Sequence, residues 1–204
     1  MNKKHVSSIF LLTAFFGIMG CSAAVDSESG SKDDSPAGIS SSTAEITGWL
    51  GPMSEEAGLN NRSFSQANVA ATNGYCSGSY CDSMWLYGSP LPSGVYTGAE
   101  QLTGPFISEE TPNNVSYCVN SSGYLNGVVT GLQIIGSYAD SIQLICAPLS
   151  FGAGHSWGTC KWTNWFSEEN GGYATGWSAG YYAVGLTCKG SYCDSVAYYI
   201  CSFT

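Results

Sequence analysis

Basic side chains are scarce in this chain. Six lysines and arginines stand against fifteen aspartates and glutamates, for a formal charge of −9. A protein without a basic face has nothing with which to neutralise the phosphates of nucleic acid or of anionic lipid. Histidine is rarer still: only His5 and His155 occur. Metal sites built on imidazoles, and nucleophiles paired with a histidine base, therefore have little material. Helical periodicity is also missing after residue 45. Short runs rich in Val, Ile, Tyr, Trp and Leu alternate there with Gly, Ser, Asn and Pro, which is the pattern of an all-β chain.

The longest apolar run, Ile9 through Ile18, follows Lys3 and Lys4. It has the charge and length of a secretory leader and is too short to span a bilayer. It ends in Ile18-Met19-Gly20-Cys21, which resembles a bacterial lipoprotein box, with Cys21 as the acylated first residue of the mature chain. The residue after it, Ser22, resembles an outer-membrane sorting signal. Residues 1–20 are thus expected to be a signal peptide, and residues 21–44, mostly Ser, Ala, Gly and Asp, a flexible tether. Loss of Lys3 and Lys4 would leave four basic side chains against fifteen acidic ones. The expected location is the bacterial cell envelope, as an outer-membrane lipoprotein facing the periplasm or the outside. Membrane contact would come through the lipid anchor alone.

What the chain has in abundance is repetition. Ser54-Glu55-Glu56, Ser108-Glu109-Glu110 and Ser167-Glu168-Glu169 are each followed by a second motif: Gly78-Ser79-Tyr80-Cys81-Asp82-Ser83, Gly136-Ser137-Tyr138-Ala139-Asp140-Ser141 and Gly190-Ser191-Tyr192-Cys193-Asp194-Ser195. The opening glycines at 78, 136 and 190 give periods of 58 and 54 residues. One supersecondary unit per repeat follows, with repeats near 45–98, 99–151 and 152–204 forming a single domain.

With Cys21 set aside, eight cysteines remain, and an even number in an exported chain implies disulfides. Cys76 and Cys81 match Cys188 and Cys193, and both positions change together in the second repeat, to Ile134 and Ala139. Partners that vanish as a pair predict Cys76–Cys81 and Cys188–Cys193 as staples across a tight turn. Pairing within repeats then completes the set with Cys118–Cys146 and Cys160–Cys201, crossed pairings being the alternative. Thiolate metal binding is not expected, because the spacing is C-x4-C and the compartment oxidising.

Strands are expected at Met84-Trp85-Leu86-Tyr87, Ile142-Gln143-Leu144-Ile145 and Val196-Ala197-Tyr198-Tyr199, and before each turn at, for example, Val128–Leu132 and Tyr182–Leu186. Three antiparallel sheets of about four strands around a pseudo-threefold axis would form a β-prism. A β-trefoil is the competing arrangement. The phrasing Phe166-Ser167-Glu168-Glu169 with Gly185-Leu186-Thr187-Cys188-Lys189-Gly190-Ser191-Tyr192-Cys193-Asp194-Ser195 resembles repeats of the vitelline membrane outer layer proteins and of β-prism modules in some bacterial secreted proteins. The resemblance spans about Ile46 to Thr204 and implies a β-prism I fold and carbohydrate binding.

The thrice-repeated Gly, Tyr and Asp residues are first of all scaffold residues of a turn. Glu55, Glu56, Glu109, Glu110, Glu168 and Glu169 have two readings. They meet backbone amides at strand ends, or they collect at one end of the prism as a site for sugar hydroxyls or Ca²⁺; no other cofactor is expected. A glycosidase built on them would need carboxyl groups roughly 5 Å or 6.5–9.5 Å apart. Function can also lie where the symmetry breaks. Trp85, Trp157, Trp162, Trp177, Tyr181 and Tyr182 have no aromatic counterparts in the second repeat, and exposed Trp and Tyr stack on sugars or anchor interfaces. Trp85, Trp162, Trp177 and Tyr181 join the glutamates as candidate ligand residues. The expected function is a non-enzymatic, lectin-like or adhesion module with a glycan as partner and no nucleic acid. The alternatives are a glycan-active enzyme using a glutamate pair and a structural or toxin-accessory domain that docks on a protein.

Overall fold

The computed structural model describes residues 47–54, 61–110 and 114–204, which fall within the compact unit Thr43–Thr204. The signal peptide, Cys21, the tether, Glu55 and Glu56 lie outside the described residues. The domain is all-β and built from antiparallel sheets.

The first repeat contains β1 (Gly48–Met53), β2 (Asn61–Ser63), β3 (Val69–Ser77) and β4 (Ser83–Pro90). β5 (Val95–Thr97) ends that repeat and pairs with the second sheet, and the second repeat follows with β6 (Gln101–Ile107), β7 (Val115–Tyr117), β8 (Gly127–Ile135) and β9 (Ser141–Phe151). The third has β10 (Trp157–Trp162), β11 (Tyr181–Lys189) and β12 (Ser195–Phe203). Each repeat centres a sheet on its long hairpin, giving β1-β4-β3, β6-β9-β8 and β10-β12-β11. The short strand between is exported to the next sheet: β2 pairs with β8, and β7 with β11. The ring closes where Tyr173 of the third repeat bridges Tyr75 in β3. The hairpin strands β3, β8 and β11 pack pairwise against one another, so the three sheets enclose one interior. Three separate sheets form a prism, whereas a trefoil gathers its strands into one barrel.

Alternation along the strands divides inside from outside. Met84, Leu86, Ile142, Leu144, Val196 and Tyr198 are buried, while Trp85, Tyr87, Gln143 and Tyr199 are not. The register slips at the same place in all three hairpins, between Ala71 and Asn73, Val129 and Gly131, and Ala183 and Gly185. A bulge in a strand resets which residues face in. The core accordingly falls into a large cluster toward the Gly-Ser-Tyr turns and a second one, with Val128, Tyr182, Val184 and Cys201, toward the other end. Trp157, stacked on Phe203 at 5.1 Å, and Tyr182, whose hydroxyl donates to the Pro90 carbonyl at 2.7 Å, belong to that second cluster.

The four disulfides are Cys76–Cys81, Cys118–Cys146, Cys160–Cys201 and Cys188–Cys193. Ile134 and Ala139 fill the space of the missing staple and are themselves buried.

Tyr198 sits in the middle of the large cluster, stacked on Phe166 at 5.8 Å and tilted against Trp177 at 5.2 Å. Gly74 makes room for it: a Cβ there would lie 2.6 Å from Tyr198 Cε2. The Tyr198 hydroxyl is buried without a hydrogen-bond partner among the described residues, and burial drives its phenol far above the usual tyrosine range. Removing an unsatisfied buried hydroxyl while keeping the ring lifts a desolvation cost. Tyr198→Phe is therefore expected to stabilise the domain by about 1 kcal/mol, read as a higher urea midpoint at unchanged slope.

Candidate functional site

Two features bring chemistry-bearing side chains together: the end of the prism where the three turns meet, and the outer faces of two sheets.

At the turns, Gly78, Gly136 and Gly190 have φ of 77–80°. A Cβ at any of them would fall 1.8–2.0 Å from the carboxylate of Asp82, Asp140 or Asp194, so only glycine leaves room for the aspartate of its motif. The next residues are held in left-handed backbone: Tyr80 and Cys81, Tyr138 and Ala139, Tyr192 and Cys193 all have φ of 55–61°. That conformation costs an L-residue roughly 1–2 kcal/mol, and it aims three tyrosines at one point. Their rings meet around the pseudo-threefold axis with centroids 5.4–5.6 Å apart, each ring about 40% exposed.

The glutamate motifs hold this arrangement in place. Glu168 Oε1 accepts the backbone N–H of Tyr80 at 2.9 Å, and Glu109 Oε1 that of Tyr192 at 2.8 Å. The third repeat thus clamps the first and the second clamps the third, through hydrogen bonds strengthened by the carboxylate charge. Glu109 Oε2 is buried with no partner among the described residues, and Glu110 and Glu169 point to solvent. Cys76, Cys81 and Glu168 approach one another as metal ligands would, but the two sulfurs are bonded to each other and offer no thiolate. The cluster reduces to a single carboxylate donor. Glu168→Ala is expected to cost about 1.5–3 kcal/mol, the range for a hydrogen bond to a charged group. Glu169→Ala, at an exposed neighbour, should stay within about 0.5 kcal/mol. Paired urea titrations of the two variants check this.

One string that sequence reasoning passes over is Gly154-His155-Ser156-Trp157-Gly158, which has the form Gly-x-Ser-x-Gly. In a nucleophile elbow the serine sits on a strand-to-helix turn. Here a strand, β10, begins at Trp157. The Ser156 hydroxyl is engaged with that of Thr204 at 2.8 Å, while the His155 ring lies against Gly94. The string is a loop running into the start of β10.

The outer face of the first sheet carries the densest set of rings. Trp49 packs edge-on against Tyr87, Tyr75 and Tyr173 at 5.3, 6.2 and 6.1 Å. Tyr75 in turn lies 5.1 Å from Trp85 and 4.6 Å from Tyr173. Trp49 is 47% exposed and Tyr173 54%, and no hydroxyl of Tyr75, Tyr87 or Tyr173 has a hydrogen-bond partner among the described residues. Gly51 and Gly172 accommodate the rings: a Cβ would lie 2.5 Å from Trp85 at the first and 2.7 Å from Tyr75 at the second.

On the third sheet Tyr117, Trp162 and Tyr199 form a smaller group, 5.0–6.1 Å apart. Burial, and to a lesser degree the neighbouring Tyr199, raises the Tyr117 phenol above its usual range. The second sheet presents Leu102, Gln143 and Ile145 at the corresponding positions, with the Gln143 amide donating to the Gly104 carbonyl at 2.7 Å.

Of the residues singled out in the sequence, Trp85 and Trp162 stand on these two faces. Trp177 is half-buried on Tyr198, its indole N–H donating to the Tyr181 carbonyl at 2.9 Å. Tyr181 lies beneath the Lys161 ammonium at 4.9 Å. Trp49, Tyr75, Tyr87, Tyr173, Tyr117 and Tyr199 are rings of these two faces that the sequence did not single out as ligand residues. The i, i+2 spacing of Trp85 and Tyr87 was the signal available for that face.

No family model, curated protein or solved structure matches this chain. Fold and surface together describe a disulfide-bonded, three-repeat β-domain with two aromatic faces.

Proposed function

We propose that this domain is a non-enzymatic carbohydrate-binding module, held at the bacterial cell envelope through an acylated Cys21, and that it takes sugar on the outer face of the first sheet. The observation that carries the reading is the contiguous set Trp49, Tyr75, Trp85, Tyr87 and Tyr173. Pyranose rings present C–H groups on their faces and hydroxyls around their edges. Tyrosine and tryptophan match both, with an apolar ring and a polar tip. The rings tilt against one another by 40–72°, which makes a corrugated surface able to grip a chain rather than a smooth patch. The carboxylates of Glu109 and Glu168 are committed to backbone amides, which favours binding over glutamate-based hydrolysis.

A glycan-array screen of the oxidised protein, with and without calcium, tests the reading. Reproducible retention of one neutral glycan class, unaffected by chelator, is the expected result. A clean negative from folded protein would overturn it and favour a protein-docking role.

A further inference from the structure

We infer that the outer face of the third sheet is a second sugar-binding site, so that the domain is divalent; this rests on the carbohydrate reading of the first sheet. The argument is one of register. Trp49 in β1 lies opposite Tyr87 in β4, and Trp162 in β10 lies opposite Tyr199 in β12. These are the same two strands of the repeat and the same aromatic order. Ring centroids are 5.3 Å apart in the first pair and 5.0 Å in the second. In the second sheet the same register pairs Leu102 with Ile145, which keeps the apolar character and loses the π-faces.

Each aromatic pair also gains a tyrosine from the imported segment: Tyr173 on the first sheet and Tyr117 on the third. Tyr117 is seated by Gly185, where a Cβ would lie 2.5 Å from its ring. The three rings, with Val119, Leu125 and the Cys160 side of a disulfide, line a shallow cavity of about 420 Å³, within the size range of small-ligand sites. None of the lining side chains is charged. The indole N–H of Trp162 and the hydroxyls of Tyr117 and Tyr199 have no hydrogen-bond partner among the described residues. Apolar ring faces with unengaged donors at their edges, and no charge, fit a neutral hexopyranose unit. Because the two faces belong to separate sheets, one molecule would join two glycan chains or two points on one wall polymer.

The test is affinity electrophoresis of the oxidised protein through gels containing soluble β-1,4-glucan, glycol chitin, mannan, galactan or xylan, alongside precipitation of the retarding polysaccharide. Trp49→Leu and Trp162→Leu both install the residue the second sheet already carries at that register, so folding should survive; near-UV circular dichroism verifies it. The expected result is that each single variant still binds, about tenfold or more weaker in apparent affinity, that neither precipitates the polymer as the parent does, and that the double variant migrates freely. If Trp162→Leu matches the parent in retardation and precipitation while Trp49→Leu abolishes both, the second site is overturned and the first stands. If the parent is retarded by none of the five polymers, both readings fall.

Discussion

Trp49→Leu is expected to reduce glycan affinity by about tenfold or more, a loss of roughly 1.4 kcal/mol or greater. Trp49 touches three of the other rings of the first-sheet face and is itself 47% exposed. Its removal both deletes a stacking surface and loosens Tyr173, which reaches that face from the third repeat. Leucine keeps some buried area and is already tolerated at the matching position as Leu102, so stability should change little. Isothermal titration with the glycan class the array identifies measures the first quantity and a thermal scan the second. Equal affinity in the variant would remove the first sheet from the binding surface.

The second large effect is on stability, and it contrasts two disulfides. In the chain-entropy picture a crosslink stabilises more the longer the loop it closes. Cys160 and Cys201 are 41 residues apart in sequence and Cys188 and Cys193 only 5. Removing the first pair by alanine substitution is expected to cost about 4 kcal/mol, and removing the second as Cys188→Ile/Cys193→Ala about 2 kcal/mol or less. The Ile/Ala pair is chosen because Ile134 and Ala139 fill the same place in the second repeat, fully buried. Two-state urea unfolding of both double variants gives the comparison. A larger loss from the local staple would mean that it is needed to hold the left-handed turn rather than to shorten the unfolded chain.

Much of the architecture was legible because the repeat reads the sequence three times. The paired loss of Cys76 and Cys81 equivalents at Ile134 and Ala139 disclosed two disulfides, and pairing within each repeat gave the other two. Met84-Trp85-Leu86-Tyr87 was legible as a strand, and its alternation puts Met84 and Leu86 on one side, which is the buried one. What stayed hidden is non-local. The export of β2 and β7 to the following sheet leaves no mark in three-residue strands, since strand pairing is a property of two segments. The clamp from Glu168 to Tyr80 joins residues 88 apart, and that from Glu109 to Tyr192 joins residues 83 apart. A local reading could place the acids at a strand end and name backbone amides as one role, but not whose amides. The aromatic faces were half legible: Trp85 and Trp162 could be picked out as asymmetric between repeats, but their neighbours come from other strands and, for Tyr173 and Tyr117, from another repeat. Trp177 shows the converse. Its asymmetry is real, yet it serves Tyr198, a buried tyrosine standing where Leu86 and Leu144 pack in the other two sheets.

The most direct single measurement is a glycan array probed in parallel with the parent protein and the Trp49→Leu/Trp162→Leu double variant, both shown to be folded and fully oxidised. Binding to a neutral glycan class by the parent, absent in the variant, is the expected result. The same pattern from both proteins would place sugar recognition elsewhere on the domain, and silence from both would contradict carbohydrate binding altogether.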